Sequence, residues 1–340
     1  MKKTVAAQPY LAITRGLDFI YRTACEPANF ETYGYDYLCC FDCIASTSKD
    51  ADLVRRARKM GRERAREWRR ANTRIPRDSN ADDLAYLISG SAAAHSLGIR
   101  DPSFKQKLMR AASRHRAAEF FGFDPRVEPP PVDLPSECEC GFYNSRSRKR
   151  CAECRRRLSM MSRYELWMDA LVRSYTAKVY GVRLGANFAD VLKWLPSMRP
   201  YPEYKDSDDV HHYWAIYAVT HVVYVLNGYS RYQLSRHWLP HEYAFLKQNL
   251  TKAIELDDPE TTGELLDSLK AFGLSNQHPL IKKGIAYLLS CQNEDGSWGD
   301  VDAEDMYMRY HPTWTAIDGL RDYAWRGRQL FSHLAGVLQR

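Results

Sequence analysis

Three sets of side chains in this sequence have types and spacings that could do chemistry. The first is Cys138 and Cys140 followed, ten residues on, by Cys151 and Cys154. Two such pairs can close a tetrahedral thiolate shell on Zn²⁺, and four thiolates leave no open position, so the metal expected there is structural. The second is Asp206-Ser207-Asp208-Asp209. Crowded carboxylates raise one another's pKa until one keeps its proton and becomes an acid. The same aspartates, standing just before Val210, would equally cap a helix and face its dipole. Tyr213, Trp214 and Tyr217, one turn onward, could offer ring faces to a cation. The third set is dispersed: His221, Glu264 or Asp267, and His311. On facing helices these could converge on a metal. Otherwise each is an ordinary core histidine or an early-turn carboxylate. Seven of the ten histidines lie between 211 and 311, among them His211, His212, His237 and His241. Their spacings match no signature such as His-Glu-x-x-His.

The elements that must position these groups read as helix after helix. Apolar residues recur at helical spacing, and short turns bearing Gly, Pro, Asp and Asn separate the segments. The pattern predicts helices over 11–25, 34–46, 50–71, 81–96, 102–120, 163–180, 187–195, 210–227, 242–254, 262–272, 279–291 and 312–323. Asp124-Pro125 and Glu128-Pro129-Pro130-Pro131 break the rhythm. The expected organisation is an N-terminal helical part over 1–123, a linker with a zinc-binding insertion over 124–160, and C-terminal helical repeats over 161–340. Tyr33 to Cys43 could supply a further lining helix, its cysteines reading as small buried hydrophobes. In the last third, the segments starting at Val219, Leu265 and Thr313 overlay at a spacing of 46–48 residues, one helical hairpin each.

The run from Lys282 to Gly299 carries the most specific pattern. Lys283-Gly284 opens a helix, Tyr287-Leu288 gives its buried face, Gln292 ends it, and Gly296-Ser297-Trp298 makes the turn. The indole can then stack back on the helix end while the amide pairs free backbone groups. This run resembles the QW repeat of squalene-hopene cyclases, oxidosqualene cyclases and protein-prenyltransferase β-subunits. The resemblance implies an all-α fold, an α/α toroid of helical hairpins carrying a small inserted zinc-binding element. Asp206-Ser207-Asp208-Asp209 is similar to the Asp-x-Asp-Asp motif of class II terpene cyclases, which implies Asp208 as the proton donor with Asp206 and Asp209 holding it protonated. Tyr310-His311-Pro312-Thr313-Trp314 resembles the prenyltransferase stretch whose histidine ligates zinc, the matching position being His311. From Cys140 onward, Asn144 and Cys151-x-x-Cys154 resemble the Ran-binding-protein type of zinc finger, although the first pair here is Cys-x-Cys.

Composition narrows the classes. With 45% hydrophobic residues, 22 Tyr and 8 Trp, the chain can build a real core or an aromatic pocket. No apolar run has membrane-spanning length, and no secretory signal pattern opens the chain. Nine cysteines fit thiols and a metal in a reducing cytoplasm better than a disulfide scaffold. The net charge of +7 is local: residues 55–77 hold eleven Lys/Arg against Glu63 and Glu67, and residues 145–157 hold seven against Glu153. These segments are solvated faces or a surface for nucleic acid or an acidic partner. No Walker loop, dinucleotide fingerprint or nucleophile elbow is present. The expected function is a terpene-cyclase-like enzyme acting by Asp acid catalysis on an apolar or isoprenoid-like small molecule in the toroid cavity. The alternatives are a metal-dependent enzyme with a second metal at the His/carboxylate set, and a non-enzymatic RNA- or protein-binding scaffold.

Overall fold

The computed structural model of the chain describes all residues except 1, 2, 133, 136, 137, 139, 141, 143, 145–149, 157, 159, 206–209 and 340, and leaves aside the side chains of 3–7, 134, 135, 160, 161, 210 and 333. The expected all-α class holds. The helices are α1 (Lys3–Cys25), α2 (Pro27–Thr47), α3 (Ala51–Ala71), α4 (Ala81–Ser96), α5 (Pro102–Ala112), α6 (Ala117–Phe121), α7 (Arg163–Tyr180), α8 (Phe188–Leu192), α9 (Leu195–Met198), α10 (Val210–Leu226), α11 (Pro240–Glu255), α12 (Pro259–Ala271), α13 (Pro279–Ser290), α14 (Tyr307–Leu320) and α15 (Ala335–Leu338). No described helix is long and apolar enough to cross a membrane.

Local chemistry sets most of the boundaries. Asp50 caps α3 through the backbone N–H groups of Asp52 and Leu53, and Asn80 with Asp83 forms a reciprocal capping box on α4. Several boundaries differ from the sequence pattern: α1 begins at Lys3 and α2 at Pro27, ahead of the expected 11 and 34, and the helix expected over 187–195 divides into α8 and α9. The helix expected over 102–120 breaks into α5 and α6, because Glu119 turns back to the Arg116 N–H and starts a new helix there. The last helix starts at Tyr307, ahead of Pro312, not at it. The carbonyl left without that proline's N–H, that of Met308, faces the close turn at Gly299, where a Cβ would lie 2.3 Å from its oxygen.

Helix α2 packs on α4, α4 on α7, α7 on α10, α10 on α12, and α12 on α14, and α14 returns to α1 and α2. Behind them, α3 covers α2 and α4, α11 lies on α12 and α10, α13 on α12 and α14, and α1 on α14 and α2. One hydrophobic core runs through all of these helices. Every residue of α12 from Glu260 to Ala271 is buried, so its carboxylates are held away from water by packing on all sides. Helices α12 and α14 approach closely at Gly263 and Gly319. A Cβ on Gly263 would stand 2.4 Å from the Thr315 carbonyl, and one on Gly319 would stand 3.0 Å from Gly263 Cα. Gly263→Ala is therefore expected to cost about 1–3 kcal/mol through overpacking, read as a lower urea midpoint. An unchanged midpoint would mean that the two helices can separate freely.

The Gln-Trp pattern does what its residues predict and more. Trp298 is fully buried, and its indole N–H donates to the Leu288 carbonyl at 2.7 Å. The Gln292 amide donates to the Gly296 carbonyl at 3.0 Å and to the Ala12 carbonyl at 2.9 Å. Arg15 returns the contact, donating to the carbonyls of Asn293 and Glu294 at 3.0 and 2.6 Å. The motif thus ties α13 to α1, at opposite ends of the chain.

Candidate active site and metal centre

A cavity of about 250 Å³ draws its lining from α2, α4, α7, α10, α12 and α14, with the loop after α10. His221 comes from α10, Glu264 and Asp267 from α12, and His311 and Asp318 from α14; Asp36 and Asp42 come from α2. Tyr35, Tyr175, Tyr224, Tyr229 and Trp314 supply aromatic surface. The rings of Tyr224 and Tyr229 stack at 6.2 Å, and Tyr175 lies 5.6 Å from Tyr229. The wall is thus rich in carboxyl groups and π faces together.

Burial sorts these groups into different protonation states. Glu264 is pushed up to about 8 by desolvation, so its carboxyl is neutral at pH 7. The Thr220 hydroxyl donates to its Oε2 at 2.5 Å. His221 is pushed the other way, down to about 4, again by burial, so its imidazole is neutral. Its Nδ1 lies 2.8 Å from the Tyr217 carbonyl. A carbonyl can only accept, so the proton sits on Nδ1 and Nε2 keeps a lone pair. The Thr220 hydroxyl also lies 3.3 Å from that Nδ1, so one side chain touches both groups. Asp267 rises to about 7 through burial and then the charge of Asp318, with the Ser230 hydroxyl 3.1 and 3.2 Å from its two oxygens. For His311, burial opposes charge, but the Glu260 carboxylate 2.8 Å from Nδ1 outweighs it and lifts the imidazole to about 9. Tyr217 donates to the same Glu260. Behind Asp318, the buried Arg321 donates to that carboxylate at 2.6 Å and to Thr47 and Ser48 at 2.8 and 3.1 Å. Cys39 and Cys43 line the cavity, but burial holds the Cys43 thiol up at about 12 and Cys39 well above the usual range. Neither is a thiolate nucleophile.

The residues anticipated from sequence divide clearly. His221, Glu264, Asp267 and His311 line one cavity, and the helix carrying Tyr35 and Asp36 lines it with them. Asp206, Asp208 and Asp209 lie outside the described residues. Tyr217 is spent on Glu260, with Tyr213 donating to the Tyr217 hydroxyl at 3.0 Å; the aromatic lining comes instead from other rings. His211 sits 3.5 Å from Ser162 and His212 lies 3.0 Å from the Pro202 carbonyl, both away from the cavity. Glu242 beside His241 is wholly buried in a two-point pair with Arg199, at 2.8 and 2.7 Å. Glu260, Asp36 and Asp318 were not singled out from sequence. Asp318 stands in the third overlaid segment, where Tyr224 and Lys270 match it, and that equivalence was the available signal.

The four cysteines converge. Their sulfurs lie within 4.8 Å of one another, with Cys138 and Cys154 at 3.3 Å and Cys140 and Cys151 at 3.7 Å. A tetrahedral Zn²⁺ with bonds of about 2.3 Å separates its sulfurs by roughly 3.8 Å, so the residues fit such an ion. The Asn144 side chain braces the two loops: its Oδ1 accepts from the Ala152 N–H at 2.8 Å, and its amide donates to the Phe142 carbonyl at 3.0 Å. Arg155, at φ 65, turns the chain out of the second pair. Leu134–Pro135 pairs antiparallel with Met160–Met161, bringing the two ends of this segment together. Among the described residues no other three His, Cys, Asp or Glu groups gather their ligand atoms in this way. Purified protein is expected to carry one zinc per chain by elemental mass spectrometry, lost in Cys151→Ser and kept in His221→Ala and His311→Ala. A second metal that leaves with the histidines would place an ion in the cavity.

No protein-family model, no curated protein and no solved structure matches the chain.

Proposed function

We propose that this chain is an α/α toroid enzyme whose central cavity performs acid–base chemistry on a small substrate that develops positive charge. Glu264 is the proton donor and the Nε2 of His221 the acceptor. The observation that carries this reading is the pairing of a carboxyl held neutral to about 8 with an imidazole held neutral to about 4, in one cavity and bridged by Thr220. Two titratable groups whose surroundings push their pKa values apart are the mark of an acid and a base. The toroid is supported by the succession α2, α4, α7, α10, α12, α14 and its return to α2, and by a lining drawn from all six helices. The cysteine segment is an insertion in this ring, a reading supported by the strand pair at its ends.

The reaction class closest to this chemistry is that of terpene cyclases, where an acid protonates an alkene and ring faces stabilise the cation. A volume of about 250 Å³, roughly that of eight water molecules, admits a short isoprenoid and not a triterpene-length polyene. The test is turnover of geraniol, farnesol and their diphosphates in D₂O, with mass spectrometry of the products. A donor acting on an alkene leaves deuterium on carbon, and the label is expected with wild type and absent with Glu264→Gln. Label formed equally by Glu264→Gln but lost in Asp208→Asn would move the acid to the aspartate cluster. No label with any of these compounds would overturn the alkene-protonating reading.

A further inference from the structure

On the outside of the molecule, the turn between α3 and α4 and the outer face of α5 enclose a groove of about 730 Å³. Arg74 and Arg77 stand on one side, Lys107, Arg110 and Arg114 on the other, and no carboxylate lines it. All five side chains are exposed. Arg74, Arg77, Arg110 and Arg114 have no acidic partner among the described residues, and Lys107 reaches only the Thr73 carbonyl, at 3.3 Å. The basic surface continues along α3. Arg62, Arg66 and Arg69 share a face at spacings of four and three residues, and Arg69 meets Asp101 at the start of α5, at 3.2 Å. The α3 arm, 62 to 69, spans roughly 10 Å at 1.5 Å per residue, while Lys107 and Arg110 stand on α5 and Arg114 in the turn just after it.

Unpaired like charges held side by side repel one another, so a surface of this kind is favoured when an anion fills it. Guanidinium groups predominate, and their forked donors match phosphate oxygens two at a time. The groove lining holds no Phe, Tyr or Trp, and its one imidazole, His115, is half-buried against Phe120 with its Nδ1 2.8 Å from Glu119, so base stacking is not what the groove offers. We infer that this groove and the adjoining face of α3 bind the sugar–phosphate backbone of a nucleic-acid duplex, without regard to sequence. This surface is separate from the cavity that holds Glu264 and His221, so the two functions can fail independently.

The experiment is fluorescence anisotropy with a fluorescein-labelled DNA duplex two helical turns long, over a series of salt concentrations. The five groove cations alone predict that log K falls with log salt at a slope of about −4.5, steeper where Arg62 and Arg66 also meet phosphates. The triple variant R74A/R110A/R114A should flatten that slope by about 2.7 and weaken binding of unrelated duplex sequences alike. Because these side chains are exposed, its circular dichroism should match wild type. A slope unchanged in the triple variant would overturn the assignment. So would equal affinity for poly-glutamate, complete displacement by millimolar inorganic phosphate, or no duplex binding at low salt.

Discussion

Glu264→Gln is expected to lose 10²- to 10⁴-fold in kcat/KM, the usual contribution of a positioned proton donor, while the protein becomes no less stable and, above neutrality, more so. Glutamine keeps the size and the hydrogen-bond acceptor that Thr220 uses at 2.5 Å, but has no proton to give. The stability argument follows from linkage. The Glu264 carboxyl is raised from 4.5 to about 8 in the folded chain by burial. Its contribution is fully present below the unfolded value and is lost as pH rises through about 8, where ionising it opposes the fold. Each pKa unit corresponds to about 1.4 kcal/mol, so a loss on the order of a few kcal/mol is expected between pH 4.5 and 8. Urea denaturation should show this decline in wild type and a smaller one in Glu264→Gln, where the raised Asp267 carboxyl still contributes. Activity of the wild type should stay high only while Glu264 holds its proton and His221 does not, between about pH 4 and 8. A variant that is both inactive and less stable at pH 9 would argue that Glu264 is a structural anion.

Trp298→Ala is the second large effect, a destabilisation of about 3–5 kcal/mol. The indole is fully buried, bonds the Leu288 carbonyl, and fills the space over Gly16, where even a Cβ would approach it to 2.8 Å. Removing it leaves a cavity between α1 and α13 and leaves the Leu288 carbonyl with only the weak Cys291 thiol donor at 3.6 Å. Because α14 packs on α1 and carries His311 and Asp318, the loss should also loosen the cavity wall. Urea unfolding and hydrogen exchange report the two effects separately. Faster exchange in α14 is expected along with the lower midpoint. A cost below about 1 kcal/mol would mean that the Gln-Trp contact is not what joins the two ends of the chain.

These two residues also mark what the sequence could and could not convey. Trp298 and Gln292 were legible because their partners, Leu288 and Gly296, are close in sequence and the pattern is local. The overlay of 219, 265 and 313 was legible for a similar reason: its third position is His221, Asp267 and Thr315, and all three line the cavity. Repetition at a fixed spacing places equivalent residues at equivalent depth. Asp36 was not legible as a site residue, because its partner Tyr310, 2.8 Å away, comes from the far end of the chain. Glu260 sits one position past a helix-opening proline and looks like a first-turn carboxylate; only its contact with His311 distinguishes it. The cysteine site was the clearest reading, since four thiols at that spacing have few other uses in a reducing environment. At two of the boundaries that slipped, side chains were responsible: Glu119 restarts a helix, and α14 absorbs Pro312 without stopping.

Acid catalysis in the cavity stands or falls on the protonation state of Glu264 itself. Infrared difference spectroscopy of wild type against Glu264→Gln isolates the carbonyl stretch of one buried carboxylic acid. This band is expected at pH 7 and should disappear as the pH passes about 8. A spectrum with only the ionised carboxylate at pH 7 would contradict acid catalysis here, because Glu264 would then have no proton to transfer.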